Sequence, residues 1–154
     1  MKGFTNIDFK WSDGSREEFP RMKVTIRPDI VVFDLANELC VGEHGVVGGV
    51  THLKPTEVNK LVEERDDVIF FDGRNARKAA IGMFKNAVVS EIRTSQDFIK
   101  ELESGKFDDI KDKPIVTYYI GGICCEILSV LMINSEFKEV YQIDGGIVKY
   151  GEAF

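Results

Sequence analysis

The chain has 154 residues, of which 44% are hydrophobic and 30% charged, so it can bury a sizeable core and is not globally disordered. Its net charge of −6 argues against a bare nucleic-acid binder, although not against a domain that meets RNA with the help of other parts. No apolar run approaches the ~20 residues that span a bilayer, and the first residues lack the apolar core of a signal peptide, which predicts a soluble, cytoplasmic chain with no membrane partner. The three cysteines, Cys40, Cys124 and Cys125, make a poor disulfide framework. They make an equally poor metal site, because adjacent cysteines do not readily fill two corners of a tetrahedron. No metal and no cofactor is expected.

In chain order, Ile7, Phe9 and Trp11 alternate with polar neighbours, as in a half-buried strand. Ser12-Asp13-Gly14-Ser15 reads as a turn, and Met22, Val24 and Ile26 alternate again until Arg27-Pro28 breaks the run. Two strands and a turn are marginal alone, so this arm reads as a fragment of a larger domain. Residues 40 to 51, CVGEHGVVGGVT, hold four glycines and little periodicity, and read as a connection. His44 and His52 flank it; histidines in such a setting are more often solvated or hydrogen-bonded than catalytic.

A regular pattern begins at Leu53. Pro55 suits the first turn of a helix whose apolar face is Val58, Leu61 and Val62. Asp67 to Asp72 is a short apolar run, a buried strand. Residues 76 to 82 predict a short helix, 87 to 89 a small strand, and Ser95 to Glu103 an amphipathic helix closed by Gly105. Ile115 to Tyr119 is the next buried strand. Cys125 to Asn134 is a nearly all-apolar helix, buried on several sides. Val140 to Ile143 is the last strand, followed by Asp144-Gly145-Gly146 and a final helix beginning at Ile147. Alternating strands and helices predict an α/β fold: a mostly parallel sheet of about five strands with helices on both faces. Ligands of such sheets sit at the carboxyl ends of the strands.

One such end carries Tyr119-Ile120-Gly121-Gly122-Ile123-Cys124, between a strand and a helix. Glycines let backbone N–H groups turn inward, and the positive end of the helix dipole points at the same spot. That geometry cradles an anion or lowers the pKa of a thiol. A tight turn without a ligand is an equally good reading of the residues alone.

Four blocks resemble a known family. "HLKPTEVNKLVEE", "FFDGRNARKAAIGMFKNAV", "YIGGICCE" and "VYQIDGGIVKY" are similar, in order and spacing, to the rhodanese domain of the tRNA wobble-uridine hydroxylases, also described as rhodanese-related sulfurtransferases. "FKWSDGSREEFPRMKVTIRPDIV" resembles the end of that family's first, ferredoxin-like domain. The resemblance implies three parts: residues 1–34 as the end of an upstream ferredoxin-like domain or an extended arm, 35–51 as a linker, and 52–154 as a rhodanese-like domain. It also implies tRNA as a partner reached through further domains, and a sulfur donor or small anion as the ligand of the loop.

The family's loop reads C-T-G-G-I-R-C-E, and its first cysteine carries a persulfide or acts as the reactive thiol. Tyr119 stands at that position and Cys124 at the position of the loop arginine, while Gly121, Gly122, Cys125 and Glu126 match. A phenol with no sulfur cannot carry sulfane sulfur. The family's acidic residue four positions after the arginine of D-x-R-N becomes Lys78, leaving Arg74 with Asp72 or Glu126 as its acid in a structural role near the site. Asn86 replaces a common glycine, a mild change because asparagine tolerates the left-handed conformation. The expected function is therefore a rhodanese-like domain of a tRNA uridine hydroxylase-like protein with impaired or absent thiol catalysis. The alternatives are an active sulfurtransferase or hydroxylase that uses Cys125 or Cys124, and an anion- or protein-binding module without sulfur chemistry.

Overall fold

The computed structural model describes Arg21 and residues 41–42, 45–46, 49–90, 95–120 and 123–154. The expected strands and turn before Pro28, together with Cys40, His44, Gly121 and Gly122, lie outside the described residues, as do the side chains of Ile123 and Cys124. All elements below belong to the compact unit bounded by residues 31 and 154.

Two two-residue strands, β1 (Val41–Gly42) and β2 (Gly45–Val46), pair antiparallel within the segment read as a connection. The main sheet contains β3 (Thr51–Leu53), β4 (Ile69–Asp72), β5 (Val88–Val89), β6 (Pro114–Tyr118) and β7 (Glu139–Ile143). Its order is β3-β7-β6-β4-β5, and every pair is parallel. The strands anticipated to end near Asp72 and Tyr119 are direct neighbours, with Asp72 opposite Tyr118. β3 adds an edge strand that the sequence pattern did not resolve, because its three residues at the end of a glycine-rich run are too few to show alternation.

Helices α1 (Pro55–Glu64), α2 (Ala76–Ala79), α3 (Ser95–Glu103), α4 (Ile123–Asn134) and α5 (Gly146–Ala153) connect or follow these strands. Local chemistry sets their ends. Pro55 starts α1, and the Glu57 carboxylate accepts from the Lys54 backbone N–H at 2.7 Å. Asn75 caps α2 by accepting from the Lys78 N–H at 3.1 Å. Helix α4 begins at Ile123, two residues before the expected start at Cys125, and α5 at Gly146, one residue before Ile147.

Period-two alternation divides the core between the two faces of the sheet. Ile69, Phe71 and Ile115 pack on one face with Phe98, Leu102 and Phe107, and with Leu128, Leu131 and Met132 of α4. Phe70, Val116 and Tyr118 pack on the other with Val58 and Leu61 of α1, Phe84, and Ile147 and Tyr150 of α5. The near-uniform apolarity of α4 follows from its place, with Leu128, Val130, Leu131 and Met132 all buried. Asn86, at φ 59°, adopts the left-handed conformation anticipated for a residue standing in for glycine.

Candidate functional site: the loop after the central strand

The carboxyl ends of β4, β6 and β7 converge on the loop that joins β6 to α4. Two backbone bonds tie it down. The Gly73 N–H donates to the Tyr118 carbonyl at 3.0 Å, and the Ile147 N–H donates to the Tyr119 carbonyl at 2.9 Å. Gly146 completes the lock. It holds φ 70°, and a Cβ there would lie 2.4 Å from the Tyr119 carbonyl oxygen and 2.6 Å from that of Ile120. Both atoms are backbone and cannot swing away, so only glycine lets α5 approach the loop. Gly146→Ala should accordingly lower stability by at least about 2 kcal/mol, seen as a falling thermal midpoint; an unchanged midpoint would mean that α5 and the loop are not held together.

Tyr119 is the first residue beyond β6 and is half-buried. The Lys78 ammonium lies over its ring, 5.5 Å from the centroid. The two residues expected from the resemblance at the family's acidic and nucleophile positions therefore meet in space. Ile120 follows, exposed. Cys124 lies in the first turn of α4. Cys125, in the same turn, is only 1% exposed.

Of the two acids considered for Arg74, Asp72 holds it. The guanidinium donates to both carboxylate oxygens, Nε to Oδ1 at 2.8 Å and Nη2 to Oδ2 at 2.6 Å, and the Arg74 backbone N–H donates to Oδ1 at 3.0 Å. Nη2 also donates to the Gly82 carbonyl at 2.6 Å. The side chains are 6% and 0% exposed, and the hydrogen bond to Asp72 pushes the Arg74 pKa up. Tyr118 closes this unit on the same face of the sheet. Its ring lies 5.5 Å from the Arg74 guanidinium carbon, and its hydroxyl accepts from the Phe84 N–H at 3.3 Å. Burial, then the Asp72 charge, raises the Tyr118 pKa well above the phenol range.

Glu126 instead meets His52, with Nε2 of the histidine 2.8 Å from Oε1. The contact joins β3 to the first turn of α4, beside the loop. Deeper down, the Thr117 hydroxyl donates to the Tyr141 carbonyl at 2.9 Å and lies 3.0 Å from the Ser129 hydroxyl, which ties β6 to both β7 and α4. Neither Tyr118 nor His52 stood out as a member of the site from the sequence. The only signal for Tyr118 was its place beside Tyr119 at a strand end, and His52 pairs with a residue 74 positions away.

The site is thus a braced strand-to-helix loop with a helix N-terminus behind it, an aromatic residue at its first position and a lysine over that ring. Such a loop can hold a ligand near the helix start, but Tyr119 offers no thiol for covalent sulfur chemistry.

The fold is shared with solved structures. A human single-domain sulfurtransferase superposes with a TM-score of 0.54 at 17% identity, covering 69% of this chain and 99% of that one. The rhodanese-like domain of an Anabaena protein gives a TM-score of 0.54 at 14% identity, covering 66% of this chain and 74% of that one. No family model matches the chain. Curated proteins do: it is 65% identical over 153 residues to a protein of Corynebacterium urealyticum and 63% identical over 153 residues to one of Corynebacterium efficiens, both named tRNA uridine(34) hydroxylase. Each match covers 99% of this chain, but only 52% and 49% of the respective relative, so the chain spans about half the length of the curated relatives it matches. With a rhodanese-like fold and this identity along nearly its whole length, the chain is a relative of the matching half of these tRNA uridine(34) hydroxylases.

Proposed function

We infer that this chain acts as the rhodanese-like part of a tRNA uridine hydroxylase-type protein in which thiol chemistry at the family's nucleophile position has been lost. The observation that carries this reading is Tyr119: its carbonyl is fixed by Ile147 and its ring is covered by Lys78, at the position where the family has its reactive cysteine. The loop then serves binding rather than sulfur transfer, with tRNA as the substrate class taken from the relatives' names and the cytoplasm as the place of action. Among the described residues no helix is long and apolar enough to cross a membrane. The burial of Cys125 supports a packing role for it, as a small apolar residue on the inner side of α4. The division into 1–34, 35–51 and 52–154 is part of the same proposal; the main sheet starts with β3 at Thr51.

Thiosulfate-to-cyanide transfer tests this reading. The unmodified chain should run at background, and Cys124→Ser and Cys125→Ser should leave that background unchanged. Turnover that disappears in either serine variant would transfer the nucleophile's role to that cysteine.

A further inference from the structure

We propose that the segment from Arg77 to Asn86 is an RNA-docking rim beside the loop, built to take the phosphate backbone on its cations and bases on its exposed apolar side chains. This rests on the tRNA reading above and locates the surface that reading requires. The first observation is charge. Residues 73–90 contain Arg74, Arg77, Lys78 and Lys85 but no Asp or Glu, in a chain with 26 acids among 154 residues, where about three would be expected. Arg74 is turned inward to Asp72. Among the described residues, Arg77, Lys78 and Lys85 form no ion pair; Lys54, Lys100 and Lys113 form none either but lie apart along the chain, and Lys60, Lys106, Lys111, Lys138 and Lys149 each meet an acid.

The second observation is apolar exposure in the same segment. Ile81 is 88% exposed and Met83 53%, and nothing lies within 4 Å of a Cβ built on Gly82 between them. These side chains are presented by an anchored backbone. The Gly82 carbonyl is held by Arg74, the Gly82 N–H donates to the Ala79 carbonyl at 3.1 Å, and Phe84 is fixed by Tyr118 and stacked on Phe70. The third observation is position. The segment leaves the carboxyl end of β4, and Lys78 reaches the Tyr119 ring at the loop. Cations interleaved with exposed apolar side chains on a fixed backbone suit a polyanion whose bases can be splayed against them.

The test uses the whole chain and a fluorescent anticodon stem-loop RNA, followed by anisotropy across a salt series. Arg77→Gln, Lys78→Gln and Lys85→Gln are combined in one variant. Lys60→Gln, Lys106→Gln and Lys138→Gln are combined in a control with the same change in net charge. The rim variant should bind at least tenfold more weakly, and its slope of log affinity against log salt should fall by about 2, as expected for three lost phosphate contacts. The control should keep the parent slope, and thermal midpoints establish that both variants fold. Equal binding by the rim variant and its parent overturns the rim while leaving the tRNA reading intact. An equal loss in the control reduces the effect to net charge and also overturns the rim. Absence of RNA binding by the parent chain overturns both rim and reading. Displacement of the RNA by polyglutamate at equal charge concentration would assign the surface to an acidic protein instead.

Discussion

Combining Tyr119→Cys with Cys124→Arg should raise thiosulfate-to-cyanide transfer from background by on the order of 10²-fold or more. The double change supplies the two parts that the resemblance expects in this loop, a nucleophilic thiol and a cation for the anionic donor. The surroundings needed to orient them are already present. The backbone at position 119 is fixed by the Ile147 N–H and by the close approach of Gly146, and α4 starts four residues later. A thiol there would have Lys78 nearby and a helix N-terminus behind it, both of which favour the thiolate. Tyr119→Cys alone should give less, because the thiosulfate dianion would still find no arginine in the loop. Equal rates for the single and double variants would show that the loop arginine is dispensable here. Background rates in both, in folded protein, would show that the loop has lost more than two side chains.

The second large effect is structural. Arg74→Ala should destabilise the fold by about 3–5 kcal/mol, because it leaves the Asp72 carboxylate buried without its partner. For a domain of this size that corresponds to a drop of roughly 6–20 °C in thermal midpoint. The pair is bidentate and excluded from water, and Arg74 also ties the chain at Gly82 to the end of β4. Asp72→Ala should cost a similar amount by stranding the guanidinium. Replacing both, as Asp72→Leu with Arg74→Met, should cost less than the sum of the two single changes, since neither charge is then left alone. Single variants that melt within about 1 kcal/mol of the parent would mean that the pair is not a structural brace.

Much of the fold is legible in the chain because apolar periodicity reports burial directly. Phe70 and Phe71 point to opposite faces of the sheet, and the continuous run from Ile69 to Phe71 marks a strand covered on both sides. The apolar helix after the loop is readable for the same reason. Elements held by pairing rather than composition are not. β3 is defined by its register with β7, Thr51 opposite Tyr141, some 90 residues away, and three residues cannot announce that partner. At the site, the departures at Tyr119, Cys124 and Lys78 are visible because a motif supplies a frame for them. The consequences of those departures are spatial. Lys78 over the Tyr119 ring, Glu126 on His52 and Gly146 against two carbonyls all depend on chain segments brought together only by the sheet. The exposure of Ile81 and Met83 is likewise invisible to a pattern in which apolar residues are taken as interior.

If Tyr119 has ended thiol chemistry in the loop, this chain forms no persulfide. Peptide mapping by mass spectrometry after incubation with thiosulfate, without reductant, tests it most directly. Peptides carrying Cys40, Cys124 and Cys125 should keep their masses, while the variant combining Tyr119→Cys with Cys124→Arg should gain one sulfur atom on the peptide carrying position 119. A stoichiometric gain of one sulfur at Cys124 or Cys125 of the unmodified chain, lost again on adding cyanide, would contradict it.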